Sequence, residues 1–210
     1  MINKKRILVL APHTDDGELG LGGSIARFVD DGKEIYYAAF SLCRRSLEPG
    51  LAPDTLEKEV KAATKILGIP SENLRLFDYD VRHFSSFRQN ILEDMVVLKK
   101  ELTPELVFLP CSSDLHQDHQ VIHNEGLRAF KDASILGYEL PWNNLNFQTS
   151  CFIKLQEKFV MKKLEALQAY KSQSHRAYLN EGFIRGLATA RGVQIGSEFA
   201  EAFEVMKVIY

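Results

Sequence analysis

A chain of 210 residues, 45% of them hydrophobic, is long enough to bury a substantial core and suits one domain spanning 1–210 better than two. Its 26 Lys and Arg against 28 Asp and Glu leave a formal charge of -2, which supplies none of the basic field that nucleic acid or an anionic membrane surface requires. Cys43, Cys111 and Cys151 lie far apart with no CxxC pair, so neither a disulfide framework nor a thiolate zinc cluster is indicated, and a reducing, cytoplasmic setting is the expectation.

The opening MINKKRILVLAPH imitates a signal peptide, but its apolar run from Ile7 to Pro12 is too short for a signal core and runs into charged residues. It is expected to be a buried strand. No stretch approaches the roughly eighteen apolar residues of a membrane helix, so no membrane insertion is expected. RILVLAP (6–12) and EIYYAAFS (34–41) have strand composition, and the segment between them carries apolar residues at helical spacing, closed by Gly32. This is a βαβ unit, and the pattern repeats. A helix is expected over 54–67, a strand at LRLFDYD, a helix over 85–101 and a strand at ELVFLP (105–110). After Pro110 a polar loop, CSSDLHQDH, runs into another helix. ASILGYEL and TSCFIKL read as strands, QEKFVMKKLEALQAYKSQ as an amphipathic helix, NEGFIRGLATARG as another helix and EAFEVMKVI as a closing strand. Alternating strands and helices predict an α/β fold, a Rossmann-like three-layer sandwich around a mainly parallel sheet. The active site is then expected at the carboxyl ends of the strands.

The stretch APHTDDGELGLGGS (11–24) places one histidine, two aspartates and four glycines just after the first strand. A dinucleotide cradle fails on spacing, because counting from Gly20 and Gly22 the third glycine position of GxGxxG holds Ile25. A metal site does better: His13 and Asp16, three residues apart in a turn, can converge on one cation, and Asp15 between them is free to act as a general base. The plainer alternative is that Asp15 or Asp16 only caps a helix beginning near Glu18. LHQDHQVIH adds His116, Asp118, His119 and His123 at a second carboxyl strand end, three of the chain's six histidines within eight residues. A catalytic zinc takes three protein ligands and keeps an open position, so one histidine of this cluster completes the set. His123 could be a solvated helix histidine, and His83 and His175 surface or substrate-edge residues.

PHTDDGELGLGG and HQDH together resemble the signatures of the LmbE-like, or PIG-L-type, N-acetylglucosaminyl deacetylases, and the resemblance extends through EKEVKAATKILGI, PELVFLPCSSDLHQDH, AYKSQSH and EFAEAFEV. Matched position by position, it implies one Zn2+ per chain, or another divalent metal, held by His13, Asp16 and His119. It makes Asp15 the base, His116 the group that stabilises the oxyanion or protonates the leaving amine, and Asp118 the partner of His116. Thr14 stands where the family usually has proline, and Gly17 where it usually has glutamate, with Glu18 one place late. The implied reaction is removal of the acetyl group from an N-acetylated amino sugar or its conjugate.

Arg44 and Arg45 in SLCRRSLEPGLAPDT, and Asp80, Arg82 and His83 in FDYDVRHF, lie at the same sheet edge and could meet sugar hydroxyls or a phosphate. The basic stretch Lys154–Lys163 reads as a solvated helix face. Two other functions compete: a metal-dependent phosphoesterase, disfavoured by the small number of carboxylates able to bridge two metals, and a noncatalytic carbohydrate-binding relative. The expected partner is thus a small-molecule amino-sugar substrate, and a homo-oligomer is compatible with the sequence.

Overall fold

The computed structural model of the chain describes residues 4–210. Seven strands, β1 (Arg6–Ala11), β2 (Glu34–Ala39), β3 (Leu74–Leu76), β4 (Leu106–Pro110), β5 (Ser134–Tyr138), β6 (Cys151–Leu155) and β7 (Phe199–Lys207), form one sheet. Their order is β3-β2-β1-β4-β5-β7-β6. β1 to β5 pair in parallel, whereas β7 runs antiparallel to both β5 and β6. The helices are α1 (Asp16–Asp30), α2 (Thr55–Ile66), α3 (Arg88–Leu102), α4 (Gln117–Ala129), α5 (Glu157–Leu167) and α6 (Glu181–Val193).

Alternation along β1 assigns the layers. Ile7, Val9 and Ala11 join one buried cluster with residues of α1, α2, α5 and α6, while Leu8 and Leu10 join a second with residues of α3 and α4. A parallel sheet covered on both faces has no polar side, which is why its central strands read as unbroken apolar runs. The sandwich expected from the sequence is therefore present. No helix among the described residues is long and apolar enough to cross a membrane, and Cys43, Cys111 and Cys151 are all buried and unbridged.

Three local expectations are corrected. β3 is shorter than LRLFDYD: its regular pairing ends at Leu76, after which the amides of Phe77 and Tyr79 still bond to the carbonyls of Ala39 and Phe40 before the chain turns away. α1 begins at Asp16 rather than near Glu18, and it is broken at Leu21 (φ -150°, ψ 25°). The basic stretch ending at Lys163 is not uniformly solvated, because Lys163 is itself buried.

The break and the buried lysine explain each other. A helix interrupted at Leu21 leaves carbonyls without partners before the break and amides without partners after it. Lys163 Nζ on α5 donates to the Leu19 carbonyl at 2.7 Å and to Glu201 Oε1 on β7 at 2.7 Å. The Glu201 carboxylate in turn accepts from the amides of Gly23 at 3.1 Å and Ser24 at 2.7 Å. This splice requires close approach. A Cβ at Gly23 would lie 2.5 Å from Leu155 Cδ1, and one at Gly20 would lie 2.5 Å from the Tyr138 ring. The glycine cluster thus serves packing of α1 against β5, β6 and α5, and not phosphate binding.

Candidate metal centre and active site

Strand order reverses between β1 and β4, since the chain proceeds from β1 toward β2 and β3 on one side and toward β5 on the other. Connections leaving these two strands part to opposite faces and open a crevice at their carboxyl ends. Both histidine-containing motifs lie there: His13 to Asp16 follow β1, and Asp114 to His119 follow β4.

Within the crevice three ligand-type atoms converge. His13 Nδ1 lies 3.0 Å from Asp16 Oδ2, His119 Nε2 lies 3.2 Å from the same oxygen, and the two nitrogens are 3.2 Å apart. A tetrahedral cation with ligands at roughly 2.0–2.1 Å separates its ligand atoms by about 3.3 Å, so this triangle fits one face of such a site. His116 also belongs to a looser group with His13 and His119, whose ligand atoms lie within 4.8 Å of one another.

Carboxylates behind the two histidines fix which nitrogen faces the crevice. Asp118 Oδ2 sits 3.1 Å from His13 Nε2, and Asp114 Oδ2 sits 2.7 Å from His119 Nδ1. Each presents its other nitrogen to the triangle, the arrangement that orients metal-binding imidazoles. The side chain of Asp118 was expected on His116, and the structure corrects this. Its carboxylate also accepts from the amides of Arg82 and Phe84, so it is committed to the far side of His13. What His116 receives from Asp118 is the backbone amide, which donates to Nδ1 at 3.2 Å as part of the α4 N-cap.

Asp114 is a functional candidate that the sequence motifs did not single out. It is 2% exposed, and its Oδ1 accepts from the His116 amide at 2.9 Å while Oδ2 holds His119. The available signal was an aspartate two residues before His116, the spacing of a turn in which an acidic side chain bonds the backbone two residues on.

Titration follows from these contacts. Burial opposes charge on His13, but Asp16 and the hydrogen bonds to Asp118 and Asp16 outweigh it and raise its pKa to about 8. His119 is likewise opposed by burial yet raised to about 10 by Asp16 and Asp114. Asp16 is held well below the usual carboxylate range, the two histidines overcoming burial. Burial and the charge of Asp16 push Asp15 up to about 6. Its carboxylate, unlike that of Asp16, takes no hydrogen bond from another side chain. His116 is lowered to about 4 by burial and by the neighbouring His119 and His13, which makes it a neutral imidazole near pH 7. With Nδ1 accepting from Asp118, its proton resides on Nε2. Asp15 and Asp16 do not cap α1 through their side chains: Asp15 occupies the N-cap position without a side-chain bond, and Asp16 turns back to accept from the His13 amide at 2.8 Å.

Beneath the turn lies a polar cage. Glu18, fully buried, touches the hydroxyls of Tyr37 and Tyr170, and those hydroxyls also reach the Thr14 carbonyl at 3.0 and 2.7 Å. Burial raises Glu18 to about 8. The glutamate that stands one place late in the motif therefore supports the turn from below.

The crevice opens into a cavity of about 600 Å3 lined by Asp15, His116, Arg45, Arg82, Trp142 and Tyr178 among others. Arg45 and Arg82 are thus placed at the site. Arg44 is not, because its guanidinium is occupied by Asp78 at 2.8 Å, the Pro53 carbonyl at 2.8 Å and Glu57 at 3.4 Å. Arg45 pairs with Asp80 at 2.9 Å, and Arg82 donates to Ser46 Oγ at 3.0 Å. His123 is buried rather than solvated, with Nδ1 2.8 Å from the Pro110 carbonyl at the end of β4. His83 is exposed, and His175 is largely exposed beside Glu48 at 3.6 Å.

Known proteins share both sequence and fold with this chain. A deacetylase of Escherichia coli K12 is 32% identical over 176 residues, covering 80% of this chain and 92% of its own length. A probable N-acetyl-alpha-D-glucosaminyl L-malate deacetylase of Bacillus anthracis is 28% identical, covering 82% of this chain and 83% of its own. The crystal structure of N,N'-diacetylchitobiose deacetylase from Pyrococcus horikoshii superposes with a TM-score of 0.80 at 21% identity, over 97% of this chain and 84% of that one. The family model described as PIG-L, GlcNAc-PI de-N-acetylase, matches residues 8–130, which span β1 through α4 and hold both motifs of the crevice. The chain belongs to the PIG-L family.

Proposed function

We propose that the protein is a zinc-dependent hydrolase that removes the acetyl group from an N-acetylated amino sugar or a conjugate of one, in the reducing compartment that suits its three unbridged thiols. The observation that carries this reading is the triangle of His13, Asp16 and His119, with Asp15 and His116 lining the same cavity. His13, Asp16 and His119 would hold the cation, with Asp118 and Asp114 orienting the two imidazoles. When bound, the cation supplies Lewis acidity to the amide carbonyl and the attacking water.

The remaining work falls to side chains of this chain. Asp15, ionised above about pH 6, takes the proton from water as it attacks the carbonyl carbon. His116 donates its Nε2 hydrogen to the carbonyl oxygen as negative charge builds there, a contact strengthened in the transition state. Cleavage of the C–N bond then delivers the Asp15 proton to the leaving amine, giving acetate and a free amino sugar. Arg45 and Arg82, which line the same cavity, would meet the polar substituents of the substrate.

The test is acetate release by zinc-loaded protein across a panel of N-acetylglucosamine derivatives. Release that disappears in Asp15→Asn supports the assignment. No release from any member, with zinc bound, overturns it and leaves the binding-only alternative.

A further inference from the structure

The basic opening of the chain lies away from the catalytic crevice, at the amino ends of the strands, and it leads to a second cavity there. Lys5 and Arg6 are committed to the fold: their amides donate to Glu105 at 2.8 and 3.0 Å, and Arg6 Nε donates to the Thr103 carbonyl at 2.9 Å. Lys4 instead lines a cavity of about 460 Å3, together with Arg27 from the last turn of α1 and Lys33 from the turn into β2. The floor of this cavity is apolar, made by Ile7 on β1 and Leu106 on β4, each 1% exposed. Half-buried Phe28 and Phe152 wall it, and the Phe28 ring is held against Phe108 with centroids 6.0 Å apart. Ile7 at this end and Ala11 at the crevice end are four strand steps apart, roughly 13 Å, so the two cavities are separate.

Charge at the rim is one-sided. Arg27 is anchored through Nη1, which donates to the Lys154 carbonyl on β6 at 2.6 Å, while its Nε lies 3.7 Å from Asp31 Oδ2. Its Nη2 makes no hydrogen bond among the described residues, and Lys4 makes no ion pair among them. Asp31 is the one carboxylate in the lining, against the three cations. In a chain of net charge -2 this is a local excess of positive charge.

A cavity of this size, with an apolar floor and a few polar groups at its edge, has the build of a small-molecule site. Covering the floor with an apolar body removes it from water, and the fixed guanidinium and the ammonium select a negative terminus through charge-assisted hydrogen bonds. An inorganic anion would leave the floor wet, and an uncharged hydrocarbon would leave the cations unpaired. We propose that this cavity binds a small amphipathic anion, an aromatic or short alkyl body ending in a carboxylate, with the body over Ile7, Phe28 and Leu106 and the carboxylate meeting Arg27 and Lys4. The site is independent of the deacetylase reading, because none of its residues lines the catalytic cavity.

The test is a titration of the 15N-labelled, zinc-loaded protein followed by amide chemical shifts, with 1-naphthoate as probe and 1-naphthalenemethanol and acetate as controls. The expected result is a single saturating shift of the Ile7, Phe28, Leu106 and Phe152 amides by naphthoate, binding of the uncharged alcohol weaker by about tenfold or more, and no movement of these amides by acetate. Lys4→Gln should weaken naphthoate about threefold or more and leave the alcohol unchanged, and Arg27→Gln should do so more strongly. Lys4→Gln breaks no contact in the structure and therefore decides the test if Arg27→Gln, which loses its tie to β6, fails to fold. Shifts confined to Arg82 and His116, alcohol binding equal to that of naphthoate, wild-type affinity in Lys4→Gln, or no saturable shift at all would each overturn the proposal. Shifts of the same amides with protein concentration alone would also overturn it, assigning the cavity to contact between copies of the chain.

Discussion

Replacing Lys163 with methionine removes one charge of a buried pair and keeps nearly the same volume. Lys163 and Glu201 side chains are each 7% exposed, and the ammonium has two partners, the Leu19 carbonyl and the Glu201 carboxylate. Loss of one member of a buried pair costs about 3–5 kcal/mol, because the remaining charge stays desolvated without its counterion. Here the loss also leaves the Leu19 carbonyl without its partner. Glu201 keeps two amide donors, from Gly23 and Ser24, which places the variant toward the lower part of that range. For a domain of this size roughly 2–4 °C accompany each kcal/mol, so a melting point lower by about 6–12 °C is expected. Adding Glu201→Gln removes the stranded charge while keeping an acceptor for the amides, so the double variant should recover more than half of the loss. Urea unfolding monitored by circular dichroism, with and without EDTA, measures both. A Lys163→Met variant within about 0.5 kcal/mol of the wild type, or a double variant less stable than the single one, would refute the splice as the support of the broken helix.

Three further outcomes are expected at the site. His119→Ala should lose most of the bound metal by elemental analysis, whereas Asp15→Asn should keep it and lose on the order of 100-fold in kcat; metal loss in Asp15→Asn would make Asp15 a ligand. His116→Ala should retain metal and lower kcat with little change in KM, and because His116 is neutral at working pH, the wild-type profile should owe no basic limb to it; a basic limb that vanishes in the variant would contradict the neutral donor. Metal affinity should climb with pH between 6 and 8, since His13 and His119 titrate near 8 and 10 and must each shed a proton to ligate. Two displaced protons correspond to roughly a hundredfold per pH unit, to be read by competition with a chelator of known affinity, and a pH-independent affinity would sink the assignment.

What the sequence displayed well is what it encodes locally. β1 and β4 are visible as apolar runs because both faces of a parallel strand are buried, and the motifs that follow them are short enough for His13, Asp15, Asp16, His116 and His119 to be read together. Contacts between distant segments leave no such trace. Lys163 looked like part of a solvated basic face because its partners, Leu19 and Glu201, lie 144 and 38 residues away. Asp118 looked like the partner of its neighbour His116, whereas folding gives its carboxylate to His13, 105 residues distant. Arg44 and Arg45 are indistinguishable as adjacent cations until Asp78 and Glu57 claim the first.

The Lys163–Glu201 splice bears on how the molecule is assembled during synthesis. Every residue proposed to take part in chemistry has emerged from the ribosome once α4 is complete, but the helix that begins at Asp16 lacks both of its supports at that stage. Lys163 arrives with α5, Glu201 only with the final strand, and Tyr170, which braces the Thr14 carbonyl, arrives between them. The nascent first 130 residues thus carry a full complement of catalytic groups, with Asp118 and Asp114 already present to orient the imidazoles, while α1 still lacks the partners of its break. Closure of the last strand between β5 and β6 is the event that brings the Glu201 carboxylate to the amides of Gly23 and Ser24, so the second half of α1, beyond its break at Leu21, gains its cap only when the sheet is complete.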